Sequence, residues 1–396
     1  MTSPRALQGV KVLDLSRVLA GPWCGQLLAD LGADVVKLER PGSGDDTRSW
    51  GPPWLKDAAG VQTRDAAYYF CANRNKRSVA IDIADPAGQA LVRRLALEAD
   101  VVLENFKVGG LAQYGLDHAS LLALKPSLVY CSITGFGQTG PYAQRAGYDF
   151  LIQGMGGLMS VTGRADGEDG AGPQKAGVAL TDILTGLYAT VGVLAALAHR
   201  DRTGEGQHID LALLDVQVAC LANQAANYLV GGVVPQRLGN AHPNIVPYQD
   251  FPTADGDMIL AVGNDEQFAR FCEVAGKPDW PADPRFVTNA ARVQHRAELV
   301  PLLRQATVMR TTHAWITALE AAGVPCGPIN RLDEVFADPQ VIARGLRIDL
   351  PHAVAGTVPG VANPLRMSAS PVAFDCGPPV LGEHTAQVLR EWLGVA

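Results

Sequence analysis

No CxxC pair, no HxxxH or HxH spacing and no G-x-S-x-G pentapeptide occurs in the 396 residues. The first two absences remove the common zinc and dithiol arrangements, and the third removes the exposed serine turn of the α/β-hydrolases. Eight histidines, none beside a cluster of carboxylates, leave no metal site to expect. Seven cysteines, at 24, 71, 131, 220, 272, 326 and 376, are an odd number scattered over a long chain. They suit a reduced, cytoplasmic protein better than a disulfide framework. Basic blocks are missing too: 33 Lys and Arg stand singly or in pairs against 40 Asp and Glu, for a net charge of −7. Nothing there would balance a nucleic-acid backbone. The opening MTSPRALQGVKVLDL lacks the apolar stretch of a secretory signal, so none is expected.

What is present is an ordinary folding composition, 47% hydrophobic and 18% charged, long enough for a large core. The first 135 residues alternate short apolar runs with helical patterns. VKVLDLS (10–16), ADVVKLE (33–39), KRSVAIDI (76–83), ADVVLEN (99–105) and SLVYCSIT (127–134) read as strands. Between the first two, AGPWCGQLLADLG reads as a helix, with Pro22 suited to its first turn and Gly32 to its end. Such alternation predicts an α/β fold with a parallel sheet covered on both faces. From about residue 206 the character shifts. A polar stretch leads to an apolar helix near 212–230, and Gly-, Pro- and Asn-rich turns then separate short strands. A smaller α+β domain is expected over 225–325, with linkers at 206–224 and 326–339. The longest apolar run, Gly177 to Ala198, contains Asp182 and several small residues, and reads as a buried helix rather than a membrane span.

GFGQTG (135–140) follows a strand and fits G-x-G-x-x-G, but Pro141 and a polar segment follow where a dinucleotide site needs an apolar helix. It reads as a glycine-rich turn, one that lines a site if it has a function at all. Cys131 reads as a packed cysteine, and His242 in GNAHPN as a loop residue that can line a pocket. Arg40, Lys76 and Arg145 each border a predicted strand, and together they hint at a phosphate-bearing ligand. Asp182 has two readings. Thr181 or Asp182 can cap the helix that starts there, with the carboxylate at the positive end of the helix dipole. Alternatively, a carboxylate at a helix start that faces a pocket can serve as a nucleophile.

The ordered set VLDLSRVLAGPWCGQLLADLGADVVKLERPGSGDDTR, NRNKRSVAIDI, ADVVLENFKVGGL, SITGFGQTGPYAQRAGYD, GVALTDILTGLYATVGVLAALAHRDRTGEGQHID, GVPCGPINRLDEVFADPQ and VLGEHT resembles the class III coenzyme A transferases over nearly the whole chain. QVACLANQAANYLVGG, IVPYQDFPTADG and GNDEQF are most similar to the members that pass CoA from succinyl-CoA to glutarate, which implies a dicarboxylate substrate. The resemblance makes Asp182 the covalent nucleophile. It also assigns CoA contacts to Leu19, Ala20, Arg40, Asn73, Arg74, Asn75, Lys76, Asn105, Phe106, Lys107, Arg145, Ala146, Gly147 and Tyr148. Leu19 and Gln113 depart from the glutamine and arginine of the formate and oxalate enzymes, which argues against those acids. LGNAHPN replaces the glycine-rich loop that covers their intermediate. Arg48 or Arg145 is the arginine available for a distal carboxylate, and His242 joins Arg48 as a substrate residue. CoA thioesters enter as substrates, with no permanently bound cofactor expected.

The family's α-methylacyl-CoA racemases carry A-G-H-D where this chain has AGYD, and Tyr148 is a poor α-proton base. A racemase, or a catalytically silent acyl-CoA-binding subunit, is the lesser alternative. The resemblance further implies a homodimer of interlocked rings, with no nucleic-acid or membrane partner. Its Rossmann-like large domain is built from residues 1–205 and 340–396.

Overall fold

In a computed structural model that describes residues 4–395, the apolar runs become strands of one sheet. These are β1 (Lys11–Asp14), β2 (Asp34–Glu39), β3 (Lys76–Ala80), β4 (Val101–Glu104), β5 (Val129–Thr134) and β6 (Gln207–Ala212). Their order is 3-2-1-4-5-6, and every adjacent pair is parallel. Around them lie helices α1 (Ala20–Asp30), α2 (Pro86–Glu98), α3 (Asp149–Met155), α4 (Leu180–Thr203) and α5 (Thr385–Leu393). A parallel sheet covered on both faces needs apolar residues at both parities of each strand, which is why these runs do not alternate. Val12, Val35, Val101 and Val129 face one layer with Cys24 and Leu28 of α1 and Ala189 and Val193 of α4. Leu13, Val36, Val102 and Tyr130 face the other, with Val92 and Leu95 of α2 and Val388 and Trp392 of α5.

Among the described residues, those up to 158, 176–225 and those from 339 onward cluster as one unit, and 159–175 with 226–338 as a second. Three segments differ from the sequence reading. Residues 206–224, expected as a linker, supply edge strand β6 and the helix Leu213–Ala219. The strand QHIDLA carries polar residues because it pairs on one side only. Residues 326–338, also expected as a linker, belong to the second unit, as do 159–175, expected in the large domain. There Cys326–Pro328 adds a third strand to an antiparallel sheet with Tyr248–Pro252 and Asp257–Ala261. That sheet shares a core of Phe251, Phe268, Phe271 and Trp315 with its helices.

Helix α4 is long and apolar enough to cross a membrane by composition, and half of its most apolar stretch is buried in the fold. Gly186 lets it approach α1 closely: a Cβ there would lie 2.7 Å from the Ala20 carbonyl oxygen. The approach brings Asp182, one turn earlier, beside the start of α1.

Candidate active site

The strand order reverses between β1 and β4, and in an open parallel sheet a crevice lies beyond the carboxyl ends of the strands at that point. Arg17–Ala20, after β1, and Asn105–Val108, after β4, wall a cavity of about 170 Å³. Thr134 at the end of β5, Gly135 after it, and the loop 143–148 continue it. Asn105 fastens the two walls together. Its Oδ1 accepts from the Arg17 N–H at 2.9 Å and its Nδ2 donates to the Arg17 carbonyl at 2.7 Å. Val18 is held at φ 72°, a conformation that β-branched residues avoid, with its N–H directed at the Asp45 carboxylate. Gly135 and Gly147 cross backbone to backbone, so that a Cβ on Gly135 would sit 2.6 Å from the Gly147 Cα. The crossing pins the 143–148 loop over the strand ends.

Asp182 stands in this cavity in the first turn of α4. The capping reading is overturned here. The helix starts at Leu180, its cap residue Ala179 offers no side-chain bond, and a different residue does the work. Asp149, first residue of α3, accepts the N–H groups of Thr181 at 2.9 Å and Asp182 at 3.3 Å, and Gln153 holds it with a 2.7 Å bond. The Thr181 hydroxyl turns to Gln217 instead. With its orphan N–H groups satisfied from outside, the helix makes no demand on the Asp182 carboxylate. Asp182 is 8% exposed, and among the described residues none donates a hydrogen bond to its carboxylate. Burial, and then the charge of Asp149, push it up to about 7. A carboxylate left without donors or a cation is poorly stabilised, which makes it more basic and more nucleophilic.

Of the residues expected from sequence, Leu19, Ala20, Asn105, Phe106, Lys107, Arg145, Ala146, Gly147 and Tyr148 line the same cavity as Asp182. Arg40 lines an adjoining cavity of about 390 Å³ that shares Arg17, Phe106 and Lys107 with the first and adds Ile81, Asp82, Gln113 and Tyr114. The Asn73–Lys76 turn lies elsewhere. Its strand begins at Lys76, so the turn enters the sheet at the edge opposite the crevice, and its side chains are spent inside the fold. Lys76 is fully buried against Asp14 at 2.9 Å, with the Pro22 carbonyl and Asn73. Arg74 forks onto Asp30, and Asn75 ties Asp30 to the segment 373–376.

Arg48 is likewise unavailable to a substrate. Its guanidinium is buried between both oxygens of Glu39 and Asp65, 3.7 Å over the ring of Tyr69. His242 belongs to the second unit, where its Nδ1 accepts the Asn244 N–H and its ring meets Tyr248. Cys131 is fully buried, as expected of a packed thiol. Two neighbours of Asp182 escaped the sequence reading. Asp149 ends the AGYD segment and gave only a weak signal. Tyr68, whose phenol is held up at about 12 by burial, Cys71, Asp182 and Asp149, gave none.

The sequence pattern of "CoA-transferase family III" matches residues 7–385. The chain is 56% identical to the succinate–glutarate CoA-transferase of Agrobacterium fabrum over 97% of its length and 95% of that protein's. It is 45% identical to the succinyl-CoA:glutarate CoA-transferase of Mus musculus, covering 99% of this chain and 87% of that one. A CAIB/BAIF family protein from Brucella suis superposes with a TM-score of 0.86 at 51% identity, covering 99% and 100% of the two chains.

Proposed function

The chain belongs to CoA-transferase family III, and from that premise we propose that it carries coenzyme A from succinyl-CoA to glutarate through the Asp182 carboxylate. Each half of the reaction is acyl transfer on a carboxylate. The Asp182 oxygen attacks the thioester carbonyl of succinyl-CoA, giving a mixed succinyl–aspartyl anhydride and CoA thiolate. The thiolate attacks the aspartyl carbonyl, releasing succinate and leaving an aspartyl-CoA thioester. Glutarate enters and reverses these steps, leaving as glutaryl-CoA with the carboxylate restored. The acyl bond energy is conserved throughout, so no nucleotide hydrolysis is needed. Both intermediates react with water, so the carboxylate must work where water is scarce.

The observation that carries this reading is the state of Asp182: buried, free of donors, and at the switch-point cavity. Lys107, shared by both cavities, and Arg40 beside it suit the phosphates of a CoA whose pantetheine arm reaches the first cavity. The substrates follow the relatives, whose names pair succinate with glutarate. We place the enzyme in a reducing, cytoplasmic setting, in keeping with seven unpaired cysteines, and as a homodimer.

The test is incubation with succinyl-CoA and glutarate, with glutaryl-CoA read by mass spectrometry. Hydroxylamine should convert residue 182 to a hydroxamate during turnover, and Asp182→Ala should form no glutaryl-CoA. Transfer that survives this substitution removes the nucleophile from the proposal.

A further inference from the structure

Three cations border the cavity that holds Asp182: Arg17, Lys107 and Arg145. Arg17 is engaged by Asp46 at 3.0 Å. Lys107 borders the adjoining cavity as well, on the Arg40 side, and is suited to phosphate. Arg145 is different. It lines the Asp182 cavity and not the adjoining one, and among the described residues no carboxylate lies within ion-pair reach of it. Its guanidinium lies 4.6 Å from the ring centre of Tyr142 and 5.1 Å from that of Phe136, with Nη2 3.8 Å from the Met155 sulfur. An arginine held within cation–π distance of two rings loses little freedom when it binds, and keeps its planar fork of N–H groups for a second carboxylate. Nor is it the counter-ion of Asp182, because only burial and Asp149 act on that carboxyl group. The loop that carries it is fixed by the Gly135–Gly147 crossing.

We propose that Arg145, laid on the Phe136–Tyr142 shelf, is the clamp for the distal carboxylate of the acid, and so makes the enzyme select short α,ω-dicarboxylates over acids with an uncharged far end. The proposal rests on the CoA-transfer reading above. Of the two arginines the sequence offered for this work, Arg48 and Arg145, it leaves Arg145, because the Arg48 guanidinium is already saturated by Glu39 and Asp65.

The experiment compares glutarate with glutaramate, its isostere with a neutral distal amide, both with succinyl-CoA as donor. Using the ratio of the two kcat/KM values cancels any damage to the donor step or to folding yield. The wild-type enzyme should favour glutarate by about 100-fold, the scale set by leaving a charged partner unmatched. Arg145→Gln should bring the ratio to within a few-fold of one, chiefly through the KM for glutarate. Arg145→Lys should restore part of the preference, since a point charge replaces a fork. A wild-type enzyme indifferent to the two acids overturns the clamp, and this arm needs no variant to fold. A preference that persists in Arg145→Gln, or a rise in KM for succinyl-CoA that leaves the ratio intact, overturns it too and makes Arg145 a CoA contact. A wild-type enzyme that forms no glutaryl-CoA at all sinks the underlying reading and the clamp together.

Discussion

A carboxyl group raised to about 7 by burial and a neighbouring charge is a liability to the fold at neutral pH and an asset to the chemistry. Between roughly pH 4 and 7 the folded protein keeps the Asp182 proton that the unfolded chain has already released. Stability from this group is therefore complete below about pH 4 and drains away as pH rises through 7, by about 4 kcal/mol at most. Asp182→Asn removes the cost along with the nucleophile. Urea unfolding at pH 8 should show the variant to be several kcal/mol more stable than wild type, with the difference shrinking toward pH 4, while transfer is lost. The activity of the wild type should rise with pH along a limb centred near 7 in kcat/KM, because only the ionised form attacks. Arg48 makes the opposite prediction. Arg48→Met strands Glu39 and Asp65 beside a buried methionine, at a cost of about 3–5 kcal/mol in urea unfolding. The KM for glutarate in the folded fraction should not move, whereas a substrate role would raise it.

At the level of elements, the site depends on one helix being capped by another. Asp149 opens α3 and closes the N-terminus of α4, and it is also the charge that adds to burial in raising Asp182. Asp149→Asn keeps an acceptor for the N–H groups but drops the charge. The pH–rate limb should therefore shift to lower pH, with a stability loss at the small end of the 0.5–2 kcal/mol typical of caps. An unmoved limb would leave Asp149 a purely structural cap. This arrangement also explains what could be read beforehand. Strands β1 to β5 were legible because burial on both faces imposes continuous apolar runs, whereas the strand order, and with it the switch point, came only with the fold. Strand β6 was not, since an edge strand written QHIDLA satisfies no such rule. The charges of NRNK read like ligand contacts because sequence shows that a lysine borders a strand but not which end of the sheet it enters. Asp182 looked most like a cap because its competitor for that role, Asp149, is 33 residues away.

For the whole molecule, the composition argued against nucleic-acid binding and gave no account of the surface, which carries an exposed apolar run. The helix Ala222–Gly231 has no buried residue, and Leu229 and Val230 are 79% and 91% exposed, followed by Val233 at 71% and Val234 at 69%. An apolar run of this kind, left to water, is characteristic of a surface covered by another protein. A second copy is the covering that the family resemblance implies, and a closed twofold pair buries the same patch on both subunits. Light scattering on the eluting protein should give twice the 41.9 kDa chain mass at micromolar concentration. Leu229→Asp with Val230→Asp should shift that mass toward the single chain, because each buried carboxylate would lack a partner across the interface. A wild type that elutes at the mass of one chain, with unchanged activity on dilution, would leave this face to some other use.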